Sequence, residues 1–90
     1  MTSPYRVEIS QSAAKKLRKL DNGVRTRIVK ALKLLAAEPR PSTVKALTSH
    51  PGYLRVRVGD HRIVYTDRDD ELLVLVLKIA HRREVYDRLP

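Results

Sequence analysis

Apolar and polar residues alternate, or recur at helical spacing, along most of the chain, and these patterns predict the elements of the fold. Residues 5–9 alternate, which is the pattern of a half-buried strand. Two segments with helical spacing follow, over about residues 10–20 and 24–37. Because so few residues lie between these segments, we expect two helices that pair antiparallel.

Residues 53–65 predict a β-hairpin. Two alternating strands flank Gly59-Asp60, a two-residue turn whose leading glycine suits type II′ geometry. The turn determines the register and therefore which side chains share a face. The predicted pairs are Leu54 with Tyr65, Arg55 with Val64, Val56 with Ile63, Arg57 with Arg62, and Val58 with His61. The packing face then carries Leu54, Val56, Val58, Ile63 and Tyr65, and the other face carries Tyr53, Arg55, Arg57 and Arg62.

The rest of the chain completes a small α+β fold. After a polar connection at residues 67–71, residues 72–79 form an almost continuous apolar run, typical of a strand buried on both faces. We expect residues 80–90 to leave that strand as a short irregular or helical tail. The element order is β-α-α-β-β-β, with the helical pair packed on one face of a mainly antiparallel sheet. A chain of this length makes one domain, residues 1–90, with one core.

The composition narrows the class of partner. Nineteen Lys and Arg residues against ten Asp and Glu give a formal net charge of +9, which points to a polyanion or an acidic partner. Cysteine is absent, which is typical of a reducing compartment. The first residues lack an apolar signal core, and no apolar run approaches membrane length. We therefore expect a soluble cytoplasmic protein that does not bind membranes.

Several reaction classes find little support in the sequence. The three histidines have no i, i+4 pair, which argues against a zinc site, and no glycine-rich phosphate loop is present. The acidic residues at 67–71 are typical of a solvated hairpin tip rather than a calcium loop or a catalytic carboxylate pair. We expect neither a metal nor a cofactor.

The cationic face of the hairpin fits phosphoryl transfer at RNA. Arginines directly opposite one another destabilise a strand pair, and a bound anion would explain the cluster of Arg55, Arg57 and Arg62. In a metal-free cleavage the 2′-hydroxyl attacks the adjacent phosphorus. The protein must then neutralise the extra negative charge, accept one proton and return another to the leaving 5′-oxygen.

Arginine does not deprotonate in proteins, so the proton transfers need other side chains. His81 is the natural acid–base candidate, although a histidine at the end of a strand can also lack any chemical role. Tyr86 can donate a proton or stack on a base, or its ring can close the edge of the core. Arg82 and Arg83 follow the buried strand and can reach the same rim.

The chain resembles a known family of toxins. The motif Tyr53-x-Arg-x-Arg-x-Gly-Asp-x-Arg-Ile-x-Tyr65, followed by an apolar strand and His81-Arg-Arg-Glu-Val-Tyr86, is similar to the RelE branch of the RelE/ParE superfamily of type II toxin–antitoxin systems. The resemblance covers nearly the whole chain. It implies a metal-independent endoribonuclease (an mRNA interferase) that enters the ribosomal A site, cleaves the mRNA there, and arrests translation and growth. It also implies a cognate antitoxin that wraps the toxin with an acidic segment and joins it on operator DNA.

The resemblance implies a role for each site residue. Arg62 matches the arginine that stabilises the charged transition state, and Tyr86 matches the C-terminal tyrosine that stacks on a base or orients the 2′-hydroxyl. Arg55 and Arg57 stand where other members carry lysines, one of which transfers a proton. We therefore interpret them as phosphate clamps and assign the proton work to His81. The expected catalytic residues are Arg62, His81, Tyr86 and Arg57, and the expected substrate-binding residues are Arg55, Arg82 and Arg83.

Two other functions fit the sequence. The ParE branch shares the fold and poisons DNA gyrase by binding, but its members generally lack the combined arginines, histidine and tyrosine. A non-catalytic basic RNA-binding domain of the same fold is the second alternative. Four tyrosines without phenylalanine or tryptophan offer such a domain little surface for stacking bases.

Overall fold

The computed structural model describes residues 5–41, 44–47 and 50–83, and in them two helices pack against a five-stranded sheet. In chain order the elements are β1 (Arg6–Ile9), α1 (Gln11–Lys19), α2 (Asn22–Ala37), β2 (Lys45–Ala46), β3 (Leu54–Val58), β4 (His61–Arg68) and β5 (Leu73–His81). The strands lie in the order β1-β5-β4-β3-β2. Among the strands of the described residues, only β1 and β5 pair in parallel. The predicted α+β class and mainly antiparallel sheet are confirmed, and β2 is an addition to the predicted order.

The two helices begin in different ways, α1 with a side-chain cap and α2 without one. Ser10 is the N-cap of α1: its hydroxyl accepts a hydrogen bond from the Ala13 amide at 3.2 Å and donates one to the Leu77 carbonyl at 2.9 Å. The second bond fixes the start of α1 to β5. α2 begins at Asn22, two residues earlier than predicted. Asn22 and Gly23 are weak helix formers, but the first turn needs no intrahelical partner for its amides and therefore tolerates them.

One apolar core joins both helices to one face of the sheet. Its fully buried members include Ile28 of α2, Ile63 and Tyr65 of β4, and Val76 of β5. The hairpin residues predicted to pack all belong to this core or contact it, Val58 being only partly buried. Neither helix in the described residues is long and apolar enough to cross a membrane.

The β3–β4 hairpin has the predicted register at all five pairs, from Leu54 opposite Tyr65 to Val58 opposite His61. Gly59 has a φ of 58°, and Asp60 is not among the residues with positive φ. This combination is that of a type II′ turn, which also confirms the predicted turn geometry. The arginines of the hairpin therefore share the face of the sheet that points away from the helices.

The pairing of β4 with β5 shifts by one residue between Val64 and Tyr65. On the turn side of this β-bulge, Arg62 faces Ala80 and His61 faces His81. β5 also continues through Ala80 and His81, so the prediction that the tail leaves the strand at residue 80 is wrong. Ala80 is fully buried, and the ladder it makes with β4 holds both residues in the strand.

The acidic connection between β4 and β5 is exposed at Asp69–Glu71, as predicted, but Asp67 departs from the prediction. β4 runs on to Arg68, and a short 3₁₀ turn, Asp69–Glu71, follows. The Asp67 side chain is only 3% exposed and pairs with Arg40 through two bonds, Nε to Oδ2 at 2.8 Å and Nη2 to Oδ1 at 3.1 Å. Asp67 therefore anchors the segment after α2 to the sheet.

Candidate functional site

Among the described residues, four cationic side chains from three adjacent strands line a pocket of about 300 Å³. Arg57 of β3 lies directly opposite Arg62 of β4, and Arg55 lies two residues earlier on the same face of β3. Lys45 of β2 completes the set as the direct partner of Arg55. We call this the cation pocket. The structure thus brings together the three hairpin arginines that the sequence predicted.

The sequence reasoning missed Lys45. Its strand has only two residues and follows a proline-rich segment that reads as a loop. The only available signal was the alternation of three residues from Val44 to Ala46, which is too brief to identify a strand by itself. In the structure the Leu47 amide donates to the Tyr53 carbonyl at 2.9 Å, and this bond holds β2 in register beside β3.

The strands that carry the cation pocket are packed on the core through their other face. The residues that alternate with the arginines, Val56 and Ile63, are buried in the core on the helix side. Within the described part of the chain, Lys45, Arg55 and Arg57 form no ion pair. The pocket therefore presents at least three positive charges that no carboxylate of the described residues neutralises, which favours an anion.

His81 does not line the cation pocket. It lies opposite His61, with the two ring centroids 5.2 Å apart and the ring planes at 84°. Both rings line a separate pocket of about 110 Å³, together with Arg27 and Asp60. Because Arg62 pairs with Ala80, the alternation of side chains puts His81 on the helix side of the sheet and Arg62 on the other side.

The hydrogen bond of His81 defines its tautomer. The Arg83 amide donates to Nδ1 of His81 at 3.2 Å. A ring nitrogen that accepts a hydrogen bond carries no proton, so the neutral ring holds its proton on Nε2. In this arrangement Nδ1 is occupied by the backbone of Arg83.

Arg82 lies at the tip of the hairpin. Its amide donates to the Asp60 carbonyl at 2.7 Å, and its Nε lies 3.8 Å from Oδ1 of Asp60. Neither Arg82 nor Arg83 is among the described residues that line the cation pocket. Tyr86 lies outside the described residues. The predicted roles of these residues, like that of His81, stay predictions.

Two further features bear on partners. An apolar groove of about 540 Å³ runs between α2 and β3, and Leu34 on its wall is 65% exposed. Arg57 lines both this groove and the cation pocket, so its side chain contacts both surfaces. Among the described residues, no group of three or more histidine and carboxylate side chains is placed to hold a metal ion.

Comparisons with known proteins all lead to one group. A family model described as the ParE toxin of the type II toxin–antitoxin system parDE matches residues 7–86. The chain is 26% identical to a chain of the archaeal RelE–RelB complex from Pyrococcus horikoshii OT3, with a TM-score of 0.78 and coverage of 91% of this chain and 99% of that one.

Bacterial complexes match to the same extent. For the RelBE2 toxin–antitoxin complex from Mycobacterium tuberculosis the identity is 28% and the TM-score 0.77, with 88% of this chain and 99% of that chain covered. For the intact E. coli RelBE complex the identity is 24% and the TM-score 0.77, with 89% and 99% covered, and this likeness concerns the fold. No curated protein sequence matches the chain significantly.

Proposed function

We propose, from the premise that this chain belongs to the ParE toxin family of type II toxin–antitoxin systems, that it arrests growth by cleaving mRNA in the ribosomal A site. The toxin function follows from the family. The finer step, from toxin to endoribonuclease, rests on the cation pocket, where charges from three strands converge on a space of about 300 Å³. A phosphodiester at its cleavage transition state carries more negative charge than in its ground state, and fixed cations favour the more highly charged species.

The lining of the pocket supports a proposed task for each arginine. Arg62, half-buried beneath the hairpin turn, would neutralise the charge that develops on the phosphoryl oxygens, while Arg55 and Arg57 hold the flanking backbone as bidentate clamps. None of these three can accept or return a proton. His81 and Tyr86 remain the residues proposed for proton transfer, with Arg82 and Arg83 proposed to hold the substrate backbone.

The antitoxin is the partner best supported by the comparisons, since the similar structures include RelE chains bound to RelB antitoxins. We propose that the antitoxin lays an apolar and acidic segment in the groove between α2 and β3. Arg57 lines both groove and cation pocket, so acidic residues of such a segment would neutralise the pocket and keep substrate out. The ribosome and mRNA, and operator DNA when the antitoxin is bound, are the other proposed partners.

A gyrase-inhibiting toxin is the second candidate, and the description of the matching family model favours it. In that case the cation pocket would bind an acidic surface and would need no proton donor. A non-catalytic basic RNA-binding domain would likewise use the pocket for binding alone, in this case of RNA phosphates. Its affinity would fall steeply with salt, because the release of counterions from RNA gains less free energy as the salt concentration rises.

Primer extension on cellular mRNAs after induction of the toxin tests the proposal. Wild type should produce cuts within translated codons, and Arg62→Ala should abolish them, whereas Lys33→Ala, which removes an exposed cation outside the pocket, should not. Growth arrest without cuts, together with inhibition of supercoiling by purified gyrase, would instead assign the chain to the second candidate.

His81 needs its own comparison, because it lies on the other face of the sheet. His81→Ala is measured beside His61→Ala, which removes the same ring contact without touching the predicted residue. Loss of cuts in His81→Ala alone would support the proton-transfer role. Cuts that persist in both variants would remove His81 from the catalytic set.

A further inference from the structure

Among the described residues that line the cation pocket, one has a side chain that can transfer a proton. Of the four described residues that line it, three are arginines, which stay protonated in proteins, and the fourth is Lys45. An ammonium group can give up one of its three protons and recover it from water, whereas a guanidinium group in a protein cannot. This difference separates Lys45 chemically from its neighbours, although all four carry the same charge.

We propose that Lys45 is the general acid of RNA cleavage, an inference that rests on the endoribonuclease function proposed above. Lys45 belongs to β2 and not to the hairpin, so it reaches the pocket from the edge of the sheet. Its direct cross-strand partner is Arg55, one of the proposed phosphate clamps. A phosphate held by the arginines would therefore have the lysine at its side, next to one of its ester oxygens.

Two backbone bonds hold Lys45 in this position. The Val44 amide donates to the Pro41 carbonyl at 3.0 Å, and the Leu47 amide donates to the Tyr53 carbonyl at 2.9 Å. These bonds lie on either side of the two-residue strand. The bond between Leu47 and Tyr53 fixes the register of β2 against β3, so that Lys45 and not Ala46 shares a face with Arg55.

The proposed step is balanced as follows. The 2′-oxygen forms a bond to phosphorus, and its proton passes to the general base, which is one of the residues proposed above for proton transfer or a water molecule. The bond between phosphorus and the 5′-oxygen breaks, and the Lys45 ammonium donates a proton to that oxygen as it leaves. The products are a 2′,3′-cyclic phosphate and a 5′-hydroxyl, and Lys45 recovers its proton from water.

The test separates proton donation from charge. Lys45→Arg keeps the positive charge and removes the transferable proton. Ribosomes carrying an mRNA are incubated with wild type, Lys45→Arg, Arg62→Ala and the control Lys33→Arg, after primer extension with wild type has located the cut. A second mRNA has sulfur in place of the leaving 5′-oxygen at that bond. A thiolate leaves without being protonated, so this substrate needs no general acid.

Lys45→Arg should cleave the natural mRNA about 10²-fold to 10⁴-fold more slowly than wild type, the usual contribution of a general acid. It should cleave the sulfur-containing mRNA at nearly the wild-type rate. Arg62→Ala should be slow on both substrates, because its charge is needed for either leaving group. Lys33→Arg should match wild type on both.

Three results would overturn the inference. Natural cleavage by Lys45→Arg at the wild-type rate would mean that another residue donates the proton. An equal deficit on both substrates would reduce Lys45 to a binding or positioning residue. If wild type cleaves neither mRNA, the endoribonuclease function itself fails and the role of Lys45 fails with it. Thermal unfolding of each purified variant verifies that the exposed substitution leaves the fold intact.

Discussion

Arg57 and Arg62 are direct partners across the β3–β4 hairpin, and both side chains line the same pocket. Like charges in such a pair repel each other and destabilise the strands that carry them. Arg55 and Lys45 add two further charges to the same face. The fold thus maintains a concentration of positive charge at a cost in stability, which is the usual arrangement where a protein binds an anion.

Replacing Arg57 by glutamine should therefore stabilise the free protein. We expect the free energy of unfolding to rise by about 0.2–1 kcal/mol at low ionic strength, because one member of the repelling pair loses its charge. The gain should shrink as salt is added, since salt screens exposed charges. Urea unfolding at two salt concentrations measures both effects. Lys33→Gln is the control, because it lowers the net charge equally but lies in α2, outside the strand pair. A gain no larger in Arg57→Gln than in this control would contradict the prediction.

Inorganic phosphate should stabilise the wild-type protein by occupying the cation pocket. A ligand that binds only the folded state at ten times its Kd adds about 1.4 kcal/mol to the free energy of unfolding. We expect the melting temperature to rise with phosphate when chloride is used to hold the ionic strength constant, and the rise to be smaller in Arg57→Gln. Equal rises in both proteins would mean that phosphate acts elsewhere or through general salt effects.

The hairpin could be predicted to the residue because its signals are local. A type II′ turn requires a positive φ at its first central residue, and Gly59 adopts it without strain. A two-residue turn leaves only one register for the strands on either side. The arginine cluster followed directly from that register. Lys45, in contrast, joins the site through a strand of two residues, whose pairing depends on contacts with β3 and not on its own pattern.

The position of His81 could not be predicted for a different reason. If β4 and β5 kept one register throughout, the pairing seen at Arg68 and Leu73 would put Ile79 opposite Arg62, and His81 would share the face of that arginine. The bulge between Val64 and Tyr65 adds one residue and reverses this relationship. β5 is apolar on both faces, so its sequence carries no alternation that would reveal the shift.

The ion pair between Arg40 and Asp67 should contribute measurably to stability. Removing the guanidinium in Arg40→Ala leaves a carboxylate that is 3% exposed without its two hydrogen bonds. Since the Arg40 side chain itself is 65% exposed, water can partly replace it, and we expect a loss of about 1–3 kcal/mol. Arg6→Ala breaks an exposed pair with Glu8 and should cost at most about 0.5 kcal/mol. Equal losses in urea unfolding would refute the distinction.

Leu34 should matter for the antitoxin and not for the RNA. Leu34→Asp places a charge on the apolar wall of the groove, and losing one buried leucine contact of about 1.5–3 kcal/mol weakens binding roughly 10-fold to 100-fold. Isothermal titration with the cognate antitoxin measures this change. Lys33→Asp introduces the same side chain on the same helix outside the groove and should bind more tightly than Leu34→Asp. Equal affinities, or loss of mRNA cleavage in free Leu34→Asp, would argue against the groove as the docking surface.

Tyr65 should make the protein sensitive to alkali. Its ring is buried and its hydroxyl donates to the Pro39 carbonyl at 2.6 Å. Burial, and then the charge of Asp67, raise the pKa of Tyr65 above its ordinary value. A folded-state pKa above the unfolded one gives stability that is complete below about pH 10 and is lost as the pH rises further, by about 1.4 kcal/mol per pH unit. The free energy of unfolding of Tyr65→Phe should be about 1 kcal/mol lower than that of wild type at neutral pH, because the Pro39 carbonyl loses its donor. Above pH 10 it should fall less steeply with pH than that of wild type. Urea unfolding between pH 7 and 11 tests this, with Tyr53→Phe as the matched control. Parallel declines in wild type and Tyr65→Phe would mean that alkaline unfolding begins at another group.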